Sequence, residues 1–316
     1  MESSTAWGNS RILVTGGSGF LGTHLCRRLC EQGIEVHATS RVERTEADSG
    51  IHWWQCDWSD LAAIRNLFRE VKPEVVYHLA GVVSADPSSE FVLPTFHSLL
   101  VSTVNLLTVA TELGCRRILL AGSLRDPQHS GPNWEPVPMS PYEAAKWAGS
   151  GYGRMFHTLY GVPVVILRPF MTYGPGQDSN KLIPSVIRSV LRGETPRLSS
   201  GRWEADWVYV DDVIEGFIRG GYVPNIEGST IDLGTGLLTS VRTVVEDLVK
   251  IMGASVDPVF GALSDRPMEP TRVANLKVAE ASLGWTPAIS LPEGLRRTAH
   301  WYAEGFKSNH SISPSC

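Results

Sequence analysis

The 316-residue sequence predicts a doubly wound α/β fold, a parallel sheet covered by helices on both faces, with a smaller, discontinuous α/β lobe. Three observations predict this fold. Short strand-like runs alternate with helical stretches through the first half of the chain, the runs are apolar on both faces, and a glycine-rich turn joins the first run to the first helix. Strands that are apolar on both faces are typical of a parallel sheet buried between helices.

The predicted elements of the first half follow one another in a regular order. Strands are predicted at 11–15, 34–39, 51–56, 74–79, 117–121 and 162–167. Helices are predicted at 20–32, 61–71, from just after 87 to about 114, and at 140–160. The last helix has the clearest start, since Ser140 is a natural N-cap, Pro141 suits the first helical position and Glu143 completes a capping box.

The alternation changes after Pro169, where proline and glycine cluster and the helices become shorter. We predict a main domain of residues 1–170 with a returning segment of about 205–240, in which Asp206–Val210 rejoins the main sheet. Residues of about 171–204 and 241–306 are predicted to form the smaller, substrate-binding lobe. The polar residues 307–316 are expected to be a flexible tail.

The composition narrows the class of protein. A net charge of −5 without a dense Lys/Arg tract argues against nucleic acid or an anionic membrane as the main partner. No run approaches the roughly 20 apolar residues of a membrane span, and Met1–Asn9 lacks the apolar stretch of a signal peptide, so we expect a cytoplasmic protein. Cys26 and Cys30 lie one helical turn apart without a second pair at ligand spacing, so no metal site is expected.

The glycine-rich turn at 15–22 reads Thr-Gly-Gly-Ser-Gly-Phe-Leu-Gly. It fits both G-x-G-x-x-G and G-x-x-G-x-x-G and lies between a predicted strand and a predicted helix, the context in which the pattern indicates dinucleotide binding on a Rossmann sheet. Glycines let the backbone approach a pyrophosphate at the helix N-terminus. The alternative is a strand–turn–helix that needs flexible residues for packing alone. The predicted cofactor contacts here are Gly16, Gly19, Phe20, Leu21 and Gly22.

The end of the second strand bears on cofactor choice. NAD sites usually have an acid there for the ribose 2′-hydroxyl, whereas this sequence has Ser40-Arg41. Arg41 suits the 2′-phosphate of NADP, and Ser40 adds a hydroxyl. The alternative is that Arg41 is a solvated surface residue. NADP is therefore the predicted cofactor, with NAD as the alternative.

Three residues predict proton-transfer chemistry. Tyr142 and Lys146 lie four apart on one helix face, and Ser123 follows the fifth strand at the edge where doubly wound sheets bind ligands. A phenol has an ordinary pKa of about 10, and an ammonium about 6 Å away favours phenolate by roughly 3 kcal/mol at an effective dielectric of about 20. We therefore expect Lys146 to make Tyr142 a usable acid and base, with Ser123 holding the reacting oxygen.

Together these motifs resemble the extended short-chain dehydrogenase/reductase family, the branch that acts largely on nucleotide sugars, over about residues 11–303. Further matches to the family's pattern lie at Cys56-Asp57, His78–Gly81, Arg168–Phe170, Tyr173–Gly176, Val208–Asp212, Arg266-Pro267 and Leu283–Trp285. The resemblance implies a homodimer formed through the helices before Gly114 and after Pro141.

The resemblance also implies site residues. Asp57 would contact the adenine and Lys146 would also hold the nicotinamide ribose, while Arg266 would bind the diphosphate of the substrate. The remaining predicted cofactor residues are Trp58, Leu79, Ala80, Gly81, Tyr142, Pro169 and Phe170. The remaining predicted substrate residues are Ser84 and Arg202.

Four departures from the family pattern bear on the substrate. Met171 and Leu99 replace frequent asparagines, Ala205 replaces an arginine for which Arg202 would compensate, and Leu124-Arg125-Asp126 replaces a Val-Tyr-Gly ending. We expect an NADP-dependent ketoreductase of a nucleotide-linked 4-keto sugar or a related substrate. The alternatives are an NAD(P)-dependent nucleotide-sugar epimerase with no net cofactor use and a cofactor-binding regulatory protein without turnover.

Overall fold

The computed structural model describes residues 7, 10–44, 50–127, 137–265 and 271–310, the last three without their side chains. It divides the chain into two compact units. The first consists of Met1–Pro169, Ile214–Asp232 and Lys277–Trp285, and the second of Phe170–Val213, Leu233–Leu276 and Thr286–Cys316.

The elements are numbered here in chain order. The strands are β1 Ile12–Thr15, β2 Val36–Ser40, β3 Ile51–Gln55, β4 Val75–His78, β5 Arg117–Ala121, β6 Val164–Pro169, β7 Met171–Tyr173, β8 Arg197–Leu198, β9 Glu204–Tyr209, β10 Thr230–Leu233, β11 Leu238–Ser240 and β12 Val259–Phe260. The helices are α1 Phe20–Glu31, α2 Leu61–Val71, α3 Ser89–Leu113, α4 Pro141–Tyr160, α5 Leu182–Leu191, α6 Val210–Tyr222, α7 Val241–Ile251, α8 Leu276–Leu283 and α9 Leu291–His310.

The largest sheet has seven strands in the order β10-β6-β5-β4-β1-β2-β3. The pairings that join β1 to β6 are all parallel. The order runs outward from β1 in both directions, which is the doubly wound arrangement that the sequence predicts. Double-sided burial is confirmed for β1, β2 and β4, which are buried along their whole length, whereas β3 at the edge is only partly buried.

By length and composition alone, helix α3 is long and apolar enough to cross a membrane. This differs from the expectation from the sequence that no stretch approaches the length of a membrane span. It begins with a 3₁₀ turn and contains a π-helical stretch at Phe96–Val101. Its last part packs into the core of the first unit, where Leu106 and Leu107 are fully buried. We therefore interpret the last part of α3 as a core element of this unit.

The start of α4 confirms the predicted cap. Ser140 Oγ accepts from the amide of Glu143 at 3.2 Å, and Glu143 Oε2 accepts from the amide of Met139 at 3.0 Å. Near the other end, a Cβ at Gly153 would lie 2.7 Å from Leu120 of β5. The glycine therefore lets α4 pack closely against the sheet, and this closeness positions the first turns of the helix beside the end of β5.

The second unit shows that one prediction was wrong. Asp206–Val210 does not rejoin the seven-stranded sheet, because β9 pairs in parallel with β7 and antiparallel with β11. The carboxylate of Asp206 explains this placement, since it accepts from the amides of Thr235, Gly236 and Ala274 at 2.6, 2.8 and 3.0 Å. A buried carboxylate bound to three amides fixes β9 to its own unit.

Two further features complete the second unit. Strands β8 and β12 form a separate parallel pair. Helix α9 continues to His310, so the tail predicted from Lys307 begins inside a helix, and residues 311–316 lie outside the described residues.

Candidate active site

The glycine-rich turn leaves room only for backbone at two positions. Gly16 has a φ of +64°, and a Cβ there would lie 2.8 Å from Ala80 Cα. A Cβ at Gly22 would lie 2.2 Å from the carbonyl oxygen of Gly16. Both glycines are therefore required for the close approach of β1, α1 and the segment after β4.

The N-terminus of α1 suits an anion. Its N-cap residue, Gly19, supplies no side-chain cap, and the first turn has no acidic residue. The backbone amides at Phe20 and Leu21 therefore point toward the exposed end of the helix, where the helix dipole favours negative charge. Together with the closely packed glycine cradle, this end fits the pyrophosphate of a dinucleotide.

A buried hydrogen-bond network holds the segment after β4 next to the glycine-rich turn. Thr15 Oγ1 accepts from the amides of Leu79 and Ala80 at 3.1 and 2.9 Å, and it lies 3.0 Å from His78 Nδ1. Burial, with a smaller effect of Lys146, lowers the pKa of His78 to about 3, so this imidazole is neutral. The network fixes the predicted cofactor segment Leu79–Gly81, and the sequence analysis did not identify Thr15 or His78 as its support.

The predicted adenosine end lies at the ends of β2 and β3. Ser40 is buried and its Oγ accepts from the amide of Val42 at 3.2 Å, whereas the side chain of Arg41 is exposed. Asp57 accepts from Ser59, which lowers the pKa of Asp57, as does the nearby charge of Arg41. The indole of Trp58 is buried and donates to Thr39 Oγ1 at 2.9 Å, so that side chain belongs to the core.

The three predicted catalytic residues come together at the start of α4 and the end of β5. Tyr142 is partly buried and is hydrogen-bonded to Ser123, whose Oγ also accepts from the amide of Arg125 at 3.1 Å. Lys146 Nζ donates to the carbonyl oxygen of Ala121 at 2.8 Å. One helix face and one strand end thus carry a hydroxyl, a phenol and an ammonium, the groups that a proton relay at a sugar hydroxyl requires.

The prediction that the pKa of Tyr142 lies below its ordinary value was wrong. Burial raises the pKa of Tyr142 to about 12, although the Ser123 hydrogen bond acts in the opposite direction. Burial also lowers the pKa of Lys146 to about 8. Desolvation disfavours both charged forms, and spacing along a helix carries no information on it.

A buried carboxylate next to these residues was not identified from the sequence. Asp126 is 3% exposed, and its Oδ2 accepts from Ser150 Oγ at 2.7 Å. Ser150 lies eight residues after Tyr142, so both side chains share a face of α4. That spacing was a signal in the sequence, but nothing there indicated that Asp126 turns toward the helix.

Five predicted site residues remain, three for the substrate and two for the cofactor. Ser84 lies in the loop after β4, where its Oγ accepts from the amide of Asp86 at 3.3 Å. Arg202, with a side chain 84% exposed, is 3.8 Å from Asp265 in the second unit. Pro169 ends β6, and the amide of the buried Phe170 donates to Leu233. Arg266 lies outside the described residues.

The departures from the expected family pattern occupy buried or strand positions. Leu99 is buried in α3, where its side chain fills the space that a Cβ at Gly81 would need. Met171 begins β7, and Ala205 is buried in β9. In the second unit, Arg242 stacks on Phe260, with its Cζ 3.8 Å from the centre of the ring. This contact was not predicted from the sequence.

Comparison with known proteins agrees with this arrangement over most of the chain. A UDP-glucose 4-epimerase of Mycolicibacterium smegmatis is 30% identical, covering 92% of this chain and 98% of that protein. The crystal structure of the UDP-glucose 4-epimerase of Thermotoga maritima with UDP-glucose has a TM-score of 0.83 at 25% identity, covering 94% of this chain and 99% of that one.

A second solved structure is similar to the same extent. The UDP-glucuronic acid 4-epimerase of Bacillus cereus, in complex with UDP-glucuronic acid and NAD, has a TM-score of 0.82 at 26% identity and covers 93% of this chain and 99% of its own. The family model described as the NAD dependent epimerase/dehydratase family matches residues 12–220. With its glycine cradle and its assembled serine, tyrosine and lysine, the chain is an enzyme of the extended short-chain dehydrogenase/reductase type and belongs to the NAD dependent epimerase/dehydratase family.

Proposed function

We propose that this protein is a nucleotide-sugar 4-epimerase that uses a tightly held nicotinamide dinucleotide without net consumption. The observation that carries the proposal is the hydrogen-bonded Ser123–Tyr142 pair with Lys146 on the same helix face. This set can remove a proton from a hydroxyl and return it, and both steps are needed to invert a hydroxyl-bearing carbon. The similarity to 4-epimerases along more than nine-tenths of the chain supports the same reading.

The residues have separate tasks in this reaction. Tyr142 accepts the proton of the sugar hydroxyl as the carbon is oxidised, and returns it after the keto sugar has presented its other face. Ser123 donates a hydrogen bond to the reacting oxygen, and Lys146 stabilises the phenolate with its positive charge. A bound nicotinamide dinucleotide supplies the hydride acceptor and donor. The amides at the start of α1 hold its pyrophosphate in this scheme.

Dehydration is not part of the proposal. The two residues after Ser123 are Leu124 and Arg125, and neither is a general acid or base at neutral pH. Asp126, the next residue, is bound to Ser150 and buried. Elimination of water across two carbons requires an acid–base pair beside the catalytic hydroxyl, and these positions do not provide one.

The proposal is tested with UDP-glucose and UDP-glucuronic acid, the compounds present in two of the similar structures. Purified protein is incubated with each compound, the epimers are separated by chromatography, and the nicotinamide absorbance band is followed. We expect interconversion of 4-epimers with no net change in that band, and no 4-keto-6-deoxy product. Conversion by Tyr142→Phe at the wild-type rate would overturn the assignment.

A second candidate has one specific observation in its favour. At the end of β2 the chain presents Ser40 and Arg41 instead of an acid, which favours NADP and hence a ketoreductase that releases its cofactor each turn. In that case the protein purifies without cofactor and consumes NADPH only with a 4-keto sugar. Cofactor retained through purification, with epimers formed, supports the epimerase instead.

We further propose a homodimer formed through α3 and α4. The exposed apolar residues of α3 include Leu93 and Phe96, at 65% and 44% exposure, and those of α4 include Tyr152 and Leu159. Between these helices lies an apolar cavity of about 550 Å³ lined by Val92, Leu100 and Ala144 among others. Exposed apolar side chains beside an apolar cavity are suited to an interface between subunits. Analytical ultracentrifugation of wild-type protein and Phe96→Glu tests it, and a wild-type monomer would overturn it.

A further inference from the structure

The turn after β5 directs a carboxylate toward the proton-transfer residues. The amide of Asp126 donates to the carbonyl oxygen of Ser123 at 3.0 Å, so the two residues are fixed within one turn. Ser150 Oγ donates to Asp126 Oδ2 at 2.7 Å. Tyr142, Lys146 and Ser150 are spaced four residues apart on α4, so the face that carries the phenol and the ammonium also holds this carboxylate.

Asp126 is surrounded by charges from several elements. From α4 it faces Lys146 and Tyr142, and from β6 it faces Arg168. Arg168 is itself bonded to the buried Asp232 at 2.7 Å. Burial raises the pKa of Asp126, whereas the Ser150 hydrogen bond and the two cations lower it. Burial is the largest of these causes, so the pKa of Asp126 lies above its ordinary value, and the hydrogen bond and the cations keep that rise smaller.

The other charged groups near this cluster do not replace that carboxylate. Arg125, in the same turn, forms an ion pair with Glu143 at 3.8 Å, and both act on Tyr142. His78 faces Lys146 but is neutral. Among the causes that act on the pKa of Lys146, burial lowers it and Asp126 raises it.

We propose that Asp126 is a positioning residue that keeps the Lys146 ammonium charged and so maintains the proton relay of Tyr142. It supports the relay only through the lysine, because its direct effect on Tyr142 is to raise the pKa of the phenol. Ser150 in turn donates to the carboxylate and lowers its pKa. The inference rests on the proposed role of Tyr142 and Lys146 and assigns to Asp126 and Ser150 a function for which the sequence pattern gives no precedent.

The sign of the effect follows from the charges. The pKa of Lys146 is about 8, already well below its ordinary value, with Asp126 present. Removal of the negative charge lowers the pKa further, so more of the amine is neutral at pH 7. A neutral amine no longer stabilises a phenolate, and the alkaline limit of activity moves to lower pH. A purely structural role would reduce activity equally at every pH.

The experiment measures the charge of Lys146 directly in the protein as it is purified. Trace acetic anhydride labels only neutral amines, and peptide mass spectrometry compares Lys146 with the exposed Lys250 of α7 from pH 6 to 10. In Asp126→Asn a fall of about one unit in the pKa of Lys146, the lower end of the effect of an opposite charge at close range, raises the neutral fraction at pH 7 from about one-tenth to about one-half, so the relative labelling of Lys146 is expected to rise roughly fivefold. Ser150→Ala is expected to change it in the same direction but less.

The outcomes separate this inference from the proposed function. Identical labelling profiles in wild type and Asp126→Asn would overturn the role of Asp126, even if the enzyme epimerises sugars. A shifted profile in a protein without epimerase or reductase turnover would support the charge coupling and contradict the proposed function. If Asp126→Asn does not fold, Ser150→Ala decides, and an unchanged profile in that folded variant overturns the inference.

Discussion

The face of α4 and the end of β2 belong to the same unit but differ in how firmly their side chains are held. At α4, Lys146 bonds to Ala121 and Tyr142 bonds to Ser123, and both groups are partly buried. At the end of β2, the side chain of Arg41 is exposed, and the hydrogen bond at this residue is to its backbone carbonyl oxygen, which accepts from Gln55 Nε2 at 3.0 Å. The partly buried side chains of α4 therefore define the proton-transfer chemistry, whereas the exposed side chain of Arg41 bears on the choice of cofactor.

The largest expected effect tests the buried face. Tyr142→Phe removes one oxygen and is expected to lower kcat by roughly a thousandfold, within the range for loss of a positioned acid–base group. Cofactor affinity, measured by quenching of tryptophan fluorescence, should remain within about twofold, because the phenol is not needed to hold the dinucleotide. The matched control is Tyr152→Phe on the same helix, where the side chain is 40% exposed. Equal kcat values for the two variants would contradict the assignment.

This contrast also explains which features the sequence could predict. The helix from Pro141 to Tyr160 and the strand Arg117–Ala121 follow from local caps and apolar runs, and the structure confirms both. The placement of β9 depends on Asp206 binding amides that are distant in the chain, and no local pattern reveals such contacts. Similarly, the pKa of Tyr142 depends on burial, and the spacing of residues along a helix does not reveal how deeply they are buried.

The second prediction concerns the glycine cradle, which depends on backbone contact. A Cβ in Gly22→Ala would lie 2.2 Å from the oxygen of Gly16, so the turn has to shift. Overpacking of this kind costs about 1–3 kcal/mol, and dinucleotide affinity is expected to fall roughly tenfold to a hundredfold. Gly151→Ala of α4 is the control, because a Cβ there meets nothing within 4 Å. Isothermal titration with NAD and NADP measures both variants, and equal affinities would show that the cradle is not closely packed.

The third prediction uses the neutral histidine behind the cradle. The pKa of His78 is about 3 in the folded protein, against about 6.5 unfolded, so the unfolded chain binds more protons between these values. The free energy of unfolding is therefore complete above pH 6.5 and decreases as the pH falls, by up to about 1.4 kcal/mol per unit.

Urea unfolding between pH 4.5 and 7 measures this slope. We expect His78→Gln to have a shallower slope than wild type, because the substituted side chain does not titrate. The exposed His97→Gln serves as the control and is expected to keep the wild-type slope. If His78→Gln and His97→Gln behave alike, the buried imidazole does not contribute to the acid sensitivity of the fold.

The smallest effect is expected at the exposed end of β2. A 2′-phosphate that meets Arg41 gains a charge-assisted contact of about 1.5–3 kcal/mol when it is well enclosed. Because Arg41 is exposed and its charge also acts on Asp57, solvent and salt reduce this gain. We therefore expect Arg41→Ala to weaken NADP binding only roughly threefold to tenfold at low salt, and to leave NAD affinity within about twofold. Titrations repeated at high salt should reduce the difference between wild type and variant. A loss of NAD and NADP affinity by the same factor would show that Arg41 supports the fold of the β2 end instead of reading the 2′ position, and cofactor choice would then have to be sought in residues other than this arginine.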